Sequence, residues 1–488
     1  TGQVHIGYKA GYANKTGTGA IAIGYEAMGG TPGTQEGHGI AIGFRAMFEV
    51  TDGSSGVAIG NSALNFLVGQ YSTAVGDEAG RYATGSYNTF VGNSAGKGST
   101  SAPYASGDRN TVVGYNALGN FTTGYRNVAI GDRAGSQITT GNSGVYIGYL
   151  AGYGGNQGGN VAIGAEALFT ANSNSNVAIG YQAGRYTTAN DGVWIGVGAG
   201  SSKAGGGQSV LVGHYAGQYM VGSEATHVGR SAGQYASGSR NTFVGGNAGR
   251  GGTTSAPYSS GESNVGVGYN SQYNFTTGNE NVSLGHSTLF NNAIGTRNTA
   301  IGHRALVGSS GNSTSENVAV GRESLLSISS GGYNVALGNQ ALYSLSSGNY
   351  SVGIGFQAGY YHIGSNNVFV GKDSGKGSSG NSTGGGNTAI GMGSLLGITT
   401  GGNNLAAGAY AGRAITTGNS NSVLGTNSAY ALTIGVGNTV LGYEALKTED
   451  VGDYATAIGY RALHAQNSDS DNEGTYNVGI GYLAGYNN

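Results

Sequence analysis

The sequence predicts an all-β parallel solenoid. Three observations carry that expectation: a short phrase returns 28 times, its copies usually lie 16 or 17 residues apart, and a glycine stands in register in every copy. The phrase is typified by Asn176-Val177-Ala178-Ile179-Gly180-Tyr181-Gln182-Ala183-Gly184, and its anchor glycine falls at Gly7, Gly24, Gly43 and onward to Gly459 and Gly481. A period this short cannot be a chain of separate domains, so each phrase is read as one coil of a single continuous solenoid over 1–488. Strands stacked at ~4.8 Å would then build a rod on the order of 130 Å long.

Each station of the coil has its own chemistry. The residue before the anchor glycine is Val, Ile or Leu in 27 of 28 coils, and the residue three before it is Val, Ile or Leu in 18. Positions two apart share a face of a strand, so Val177 and Ile179 are expected to form the core. Gly180 then joins that strand to a second one, at a point where a Cβ would obstruct a positive φ or a close approach. Three residues after the anchor stands Ala in 22 coils, as at Ala183, and Ser or Thr in the other six. This size limit predicts a second short strand packed tightly on the first, hence two short strands per coil. Two residues after the anchor the chain is mostly polar, and that station is expected to face water. Four before it, Asn occurs in 17 coils, where its amide can close a turn and stack from coil to coil.

The remaining station, two before the anchor, lies on the opposite face of the first strand. Ala178 typifies it, and Phe90, Tyr146, Trp194, Phe243 and Phe369 occupy it elsewhere. A strand that is apolar on both faces must be covered on both. These residues are therefore expected to meet other copies of the chain, since a long bare stripe would aggregate. A bland alternative is a mostly alanine face open to water, which the aromatic members fit poorly.

Four coils are longer than the rest, which predicts surface loops near 97–109, 250–263, 376–386 and 464–476. Lys97-Gly98-Ser99-Thr100-Ser101-Ala102-Pro103-Tyr104 matches Gly251-Gly252-Thr253-Thr254-Ser255-Ala256-Pro257-Tyr258 nine coils later, so a large block was duplicated whole. Pro103, Tyr104, Pro257 and Tyr258 mark these loops as candidate ligand contacts, against the plainer reading of neutral insertions.

Composition excludes several classes. The chain has 100 glycines and 3 prolines without a Gly-X-Y period, so it is not collagen. Only 9% of residues are charged and the net charge is −2, which leaves no basic footprint for nucleic acid or anionic membrane. No cysteine is present, so disulfides, thiolate metal sites and a cysteine nucleophile are out. No apolar run is long enough for a membrane-spanning helix. The chain opens at Thr1-Gly2-Gln3 without a signal peptide and stops within a repeat, so both ends read as cut, processed or uncapped.

Candidate chemistry is sparse. Asp469-Ser470-Asp471-Asn472-Glu473-Gly474 resembles half of a calcium loop, but Ile480 stands where the bidentate Glu is required, so a solvated acidic loop is expected. His286 and His303 fall in a column otherwise rich in Tyr and Phe, which predicts an aromatic ladder in place of a metal site. Gly196-Val197-Gly198-Ala199-Gly200 superposes two repeat stations and lacks the helix a phosphate loop needs. No catalytic constellation, cofactor site or metal site is expected, and the chain is read as non-enzymatic. Threonine pairs sit in loops and not in ranks on a flat face, against ice binding, and only one aliphatic phrase per coil argues against a hexapeptide helix.

The phrase Asn-Val-Ala-Ile-Gly followed by Ala, as in Asn127 to Ala134, Asn160 to Ala167 and Asn176 to Ala183, resembles the head repeat of trimeric autotransporter adhesins and of tail-fibre-like proteins. The resemblance covers essentially the whole chain. It implies a left-handed parallel β-roll, a side-by-side homotrimer, an extracellular place on a cell or virion, and attachment to a surface glycan or protein. The coils here are longer than the family's short repeat, and no coiled-coil stalk or membrane-anchoring strands follow. The leading functional expectation is thus a homotrimeric fibre or adhesin shaft acting as a rigid spacer. The alternative is a structural filament subunit that polymerises end to end through its outermost coils.

Overall fold

The computed structural model of the chain describes residues 2–14, 18–31, 38–50, 55–101, 104–170, 172–202, 207–255, 257–309, 313–380, 382–468 and 474–487. The chain divides into two compact units, 1–240 and 241–488. The first holds β1 (Val4–Ile6) to β14 (Thr226–Val228), the second β15 (Thr242–Val244) to β28 (Val478–Ile480), every strand three residues long. Within each unit successive strands pair in parallel and in register. Thus Val161, Ala162 and Ile163 lie beside Val177, Ala178 and Ile179, which lie beside Val193, Trp194 and Ile195. The all-β parallel solenoid is the fold of both units.

Only one wall of the coil is strand. Opposite it the chain runs through turns, because the stations two and four after the anchor are left-handed: φ is 57° at Gln182 and 49° at Leu168. Alternating left-handed residues cannot hold the extended pleat, so the second strand expected from the sequence is replaced by stacked turns. These still ladder from coil to coil, as when the Glu26 N–H donates to Tyr8 O at 2.8 Å and the Met28 N–H to Ala46 O at 3.0 Å. The anchor glycines are doubly required. Gly180 has φ 134°, and an added Cβ would lie 2.7 Å from the carbonyl of Gly196 in the next coil.

The two faces of the strand are the reverse of the expectation. Ala178, Phe90, Tyr146, Trp194, Phe243 and Phe369 point into the coil and are buried within the single chain. They are core residues and cannot form an inter-chain interface. Val177 is only half-buried and Ile179 is 36% exposed, so these two form the outer face and not the core. Ala183 is buried as expected. The physical reason is room: a thin coil has space for a methyl group, and Ala178 and Ala183 are both small because both face the same narrow interior.

Large inward residues are admitted by glycines. Phe90 lies against Gly80 and Gly96, and Phe369 against Gly359 and Gly375, at places where a Cβ would overlap the ring. In many coils whose inward residue is Ala, the station four after the anchor fills the gap instead, as with Met47, Leu64, Leu168, Leu306 and Leu463, all buried. A third inward column, seven after the anchor, supplies Leu67, Phe121, Ile138, Leu345 and Ile415.

A buried amide ladder closes the remaining side. The Asn281 N–H donates to Asn264 Oδ1 and the Asn298 N–H to Asn281 Oδ1, both at 3.0 Å, while Asn281 Nδ2 donates to Gly295 O at 2.9 Å. Each asparagine therefore satisfies a backbone donor of one coil and a turn carbonyl of another, groups that would be costly to bury unpaired.

Candidate functional site

The outer face of the strands is the feature that asks for a partner. Three stations point outward in each coil: three before the anchor, one before it and one after it. In one coil of the first unit these are Val177, Ile179 and Tyr181, the last 50% exposed. At the start of the same unit the column after the anchor holds Tyr8, Tyr25 and Phe44, stacked at 5.1 and 5.3 Å between ring centres. The second unit repeats the pattern with Val282, Leu284, Ile390, Met392, Leu441 and Tyr443, all exposed. A half-exposed ring leaves on the order of 80 Å² open. A few coils therefore exceed the ~300–600 Å² of a typical monomer's largest apolar patch.

Next to this face runs the column two after the anchor. It is polar as expected, but several of its carboxylates are nearly buried. Glu444 accepts from Lys447 Nζ and Arg461 Nε, both at 2.7 Å, and Glu26 from Arg45 Nε at 2.8 Å. The hydrogen bond from Lys447, joined by that from Arg461, holds the Glu444 carboxyl below the usual carboxylate range. Charges so closely paired rivet neighbouring coils and leave little net field. The wet station is thus partly a ladder of ion pairs.

The loop residues divide. Pro103 lies outside the described residues. Tyr104 folds back onto its own unit, stacking on Phe66 at 5.0 Å and Tyr82 at 5.7 Å. The matching positions of the duplicated block include Tyr219 and Tyr235, which stack at 5.2 Å. Pro257 is exposed and Tyr258 half-buried. The acidic segment 469–473 lies outside the described residues. His286 stacks on His303 at 5.2 Å and meets Tyr269 in a tilted contact at 5.4 Å, which is the aromatic ladder expected. Gly198 and Gly200 occupy the two left-handed turn stations, with φ of 65° and 56°. Among the described residues no group of three His, Cys, Asp or Glu could hold a metal ion, and no helix is long and apolar enough to cross a membrane.

The outer face was missed as a site because strand alternation gives parity without direction. The signal that fixes direction is present in the sequence: Trp194 has Gly200 four after its own anchor and Gly184 four after the preceding one, whereas Ala162 has Leu168. Only inward residues need such compensation. No protein-family model matches the chain, and no characterised protein matches it.

Proposed function

We propose that the chain is a non-enzymatic, extracellular fibre or adhesin shaft that associates side by side with further copies of itself through the outer strand face. In this reading it forms a homotrimer, serves as a rigid spacer and attaches to a surface glycan or protein. The observation that carries it is the apolar outer face, repeated coil after coil in both units, as at Ile59, Ile130, Ile179, Ile301, Ile354 and Ile390. An in-register array of aliphatic and aromatic residues offers the same ridges and grooves to every copy, so it is self-complementary by construction. A stable interface needs about 800 Å² per partner, which on the order of ten half-exposed rings would supply.

The number three, the extracellular setting and the attachment role come from the likeness to trimeric autotransporter adhesin and tail-fibre repeats. The choice of face comes from the burial pattern, and it replaces the inward column as the ground for self-association. Mass measurement in solution by light scattering tests the reading: three copies are expected, and a monomer stable at micromolar concentration would overturn it.

A further inference from the structure

Six residues before the anchor, successive coils of the first unit carry Tyr125, Asn142, Gly158, Asn174 and Asn190. Where this station is Asn, its amide oxygen can accept a backbone N–H from the preceding coil. Gly158 N–H donates to Asn174 Oδ1 at 3.0 Å, and Asn174 N–H to Asn190 Oδ1 at 2.8 Å. The second unit does the same with Asn279, Asn349 and Asn419. Gly158 has no side chain to offer, and the Asn142 N–H makes no hydrogen bond among the described residues. The next station shrinks in step: between Arg126 and Asp191 it holds only Ser143, Gly159 and Ser175.

These small residues leave a shallow cleft, largely open to solvent, of about 610 Å³ across three coils, lined by 140–143, 156–159 and 174–175. No ionisable side chain and no hydrocarbon side chain lines it. Its backbone groups are mostly spent between coils, as in Gly159 N–H to Asn142 O and Ser175 N–H to Gly158 O, but several side-chain groups keep capacity among the described residues. Asn156 commits its oxygen to the N–H and hydroxyl of Thr139, which leaves its Nδ2 free to donate. Gln157 commits its Nε2 to Asn172, which leaves its oxygen free to accept.

We propose that this cleft binds a short neutral oligosaccharide. Sugar hydroxyls both donate and accept, and the lining offers amide donors, amide acceptors and hydroxyls together. The absence of charge gives no attraction to an anionic or cationic ligand. The small share of apolar surface gives little to a lipid or flat aromatic compound. Tyr125 stands one coil earlier in the same column, 38% exposed, with the Arg126 guanidinium over its ring at 5.6 Å, so the nearest charge lies outside the lining. The site deepens the attachment reading and rests on it for biological purpose, though its chemistry stands separately.

The test uses the full chain on an array of neutral tetrasaccharides ending in glucose, galactose, mannose or N-acetylglucosamine, beside sialylated and sulfated counterparts. Calorimetric titration with the best neutral probe follows. Gly158→Asn supplies the missing ladder residue and fills the cleft. Its Cβ would lie 2.9 Å from Asn142 O, so the coil must yield slightly. Asn142→Ala needs no such adjustment and decides the question if the first variant fails to fold. The expected result is binding of a neutral glycan by the wild type, weakened about tenfold or more in both variants, with thermal unfolding of Asn142→Ala unchanged. No retention of any neutral glycan, tighter retention of the acidic ones, or wild-type affinity in folded variants would overturn the proposal. Light scattering on the same samples separates the two readings: a monomer that binds sugar sinks self-association alone, and an assembled chain that binds none sinks the cleft alone.

Discussion

The coil that carries Trp194 and the coil that carries Leu342 fill the same thin cross-section by opposite means. In the first the strand supplies the bulk: the indole is fully buried, and a Cβ at Gly184 would lie 2.9 Å from its Cε3. In the second the strand supplies only Ala336, and the bulk comes from Leu342 across the coil. Leu342 in turn depends on glycine in its neighbour, since a Cβ at Gly353 would lie 2.7 Å from it. What the repeat conserves is therefore the summed volume of facing stations, spread over adjacent coils, and not the residue at any one of them.

The sharpest way to break the comparison is to convert one coil type into the other. Trp194→Ala should cost ~3–5 kcal/mol through the cavity it leaves. Gly200→Leu alone should cost ~1–3 kcal/mol or more by overpacking. Combined with Gly184→Leu in the Trp194→Ala background, it should regain much of the loss. The backbone permits this, because Gly184 and Gly200 have φ 56° and Leu342 already occupies the same station at 48°. Urea unfolding followed by far-ultraviolet circular dichroism measures each step, and a triple variant no more stable than Trp194→Ala would remove the complementarity argument.

Much of this was legible in sequence. The coil count, the parallel class, the anchor glycine, the small station at Ala183 and the asparagine ladder all follow from residues that recur at fixed spacing. The direction of the strand does not, because Val177 and Ala178 are both apolar and alternation treats the two faces alike. The pairing of Trp194 with Gly184 and Gly200 carries that direction. The stacked turns opposite the strand were hidden for another reason: residues such as Glu26 and Gln182 carry no composition signal for a left-handed φ. The carbohydrate cleft was invisible because it arises where Gly158 interrupts an outer ladder that shows itself only in three dimensions.

A second prediction concerns the aromatic coil of the second unit. His362 packs edge-on against Phe369 at 5.0 Å and donates from Nε2 to Gly384 O. Burial pushes its pKa down to about 4, against the carbonyl's opposing effect. The sign follows directly: the unfolded chain takes up the proton near pH 6.5 and the folded chain does not until near 4. The neutral imidazole's contribution is therefore complete above about pH 6.5 and falls as pH drops toward 4, by up to about 3 kcal/mol. His362→Gln, which keeps a donor, should remove one proton's share of that slope, the share of buried His227, pushed down to about 3, remaining, while coils built like Leu342 should add nothing to the window. An unchanged slope between pH 6.5 and 4 in the variant would refute the assignment.

The amide ladder sharpens the contrast at smaller cost. The Leu342 coil has Asn334 four before its anchor, and Asn334 Oδ1 accepts the Ser351 N–H at 2.9 Å. The Trp194 coil has Gly192 there, because a Cβ would strike the indole, and the Tyr146 coil has Gly144 for the same reason. In these two coils the ring on the strand displaces the ladder amide, whereas the Phe90, Phe243 and Phe369 coils keep theirs at Asn88, Asn241 and Asn367. Asn334→Ala should cost ~1–3 kcal/mol, since it strands a buried donor. Gly192→Asn should destabilise the wild type yet stabilise Trp194→Ala. Thermal unfolding of the two backgrounds decides it, and the same sign in both would show that ring and amide do not compete.

The two coil types differ inside and agree outside, where Ile195 and Leu337 hold equivalent stations on the outer face. The smallest effect on the folded chain is accordingly expected there. Ile179→Lys and Ile195→Lys alter outward side chains that are each 36% exposed, so each should change single-chain stability by no more than about 0.5 kcal/mol. On assembly the same changes should act strongly. They would put two like charges on adjacent coils at the centre of a desolvated apolar contact, where unpaired charge is expensive. The double variant should therefore sediment as a monomer at concentrations where the wild type is assembled, while its circular dichroism and melting stay near wild type. Core substitutions such as Trp194→Ala should do the opposite, lowering the melting point before they change the mass. If the lysine variant keeps the assembled mass, the contact runs through some other surface, and the outer face of the strand is solvent-facing despite its composition.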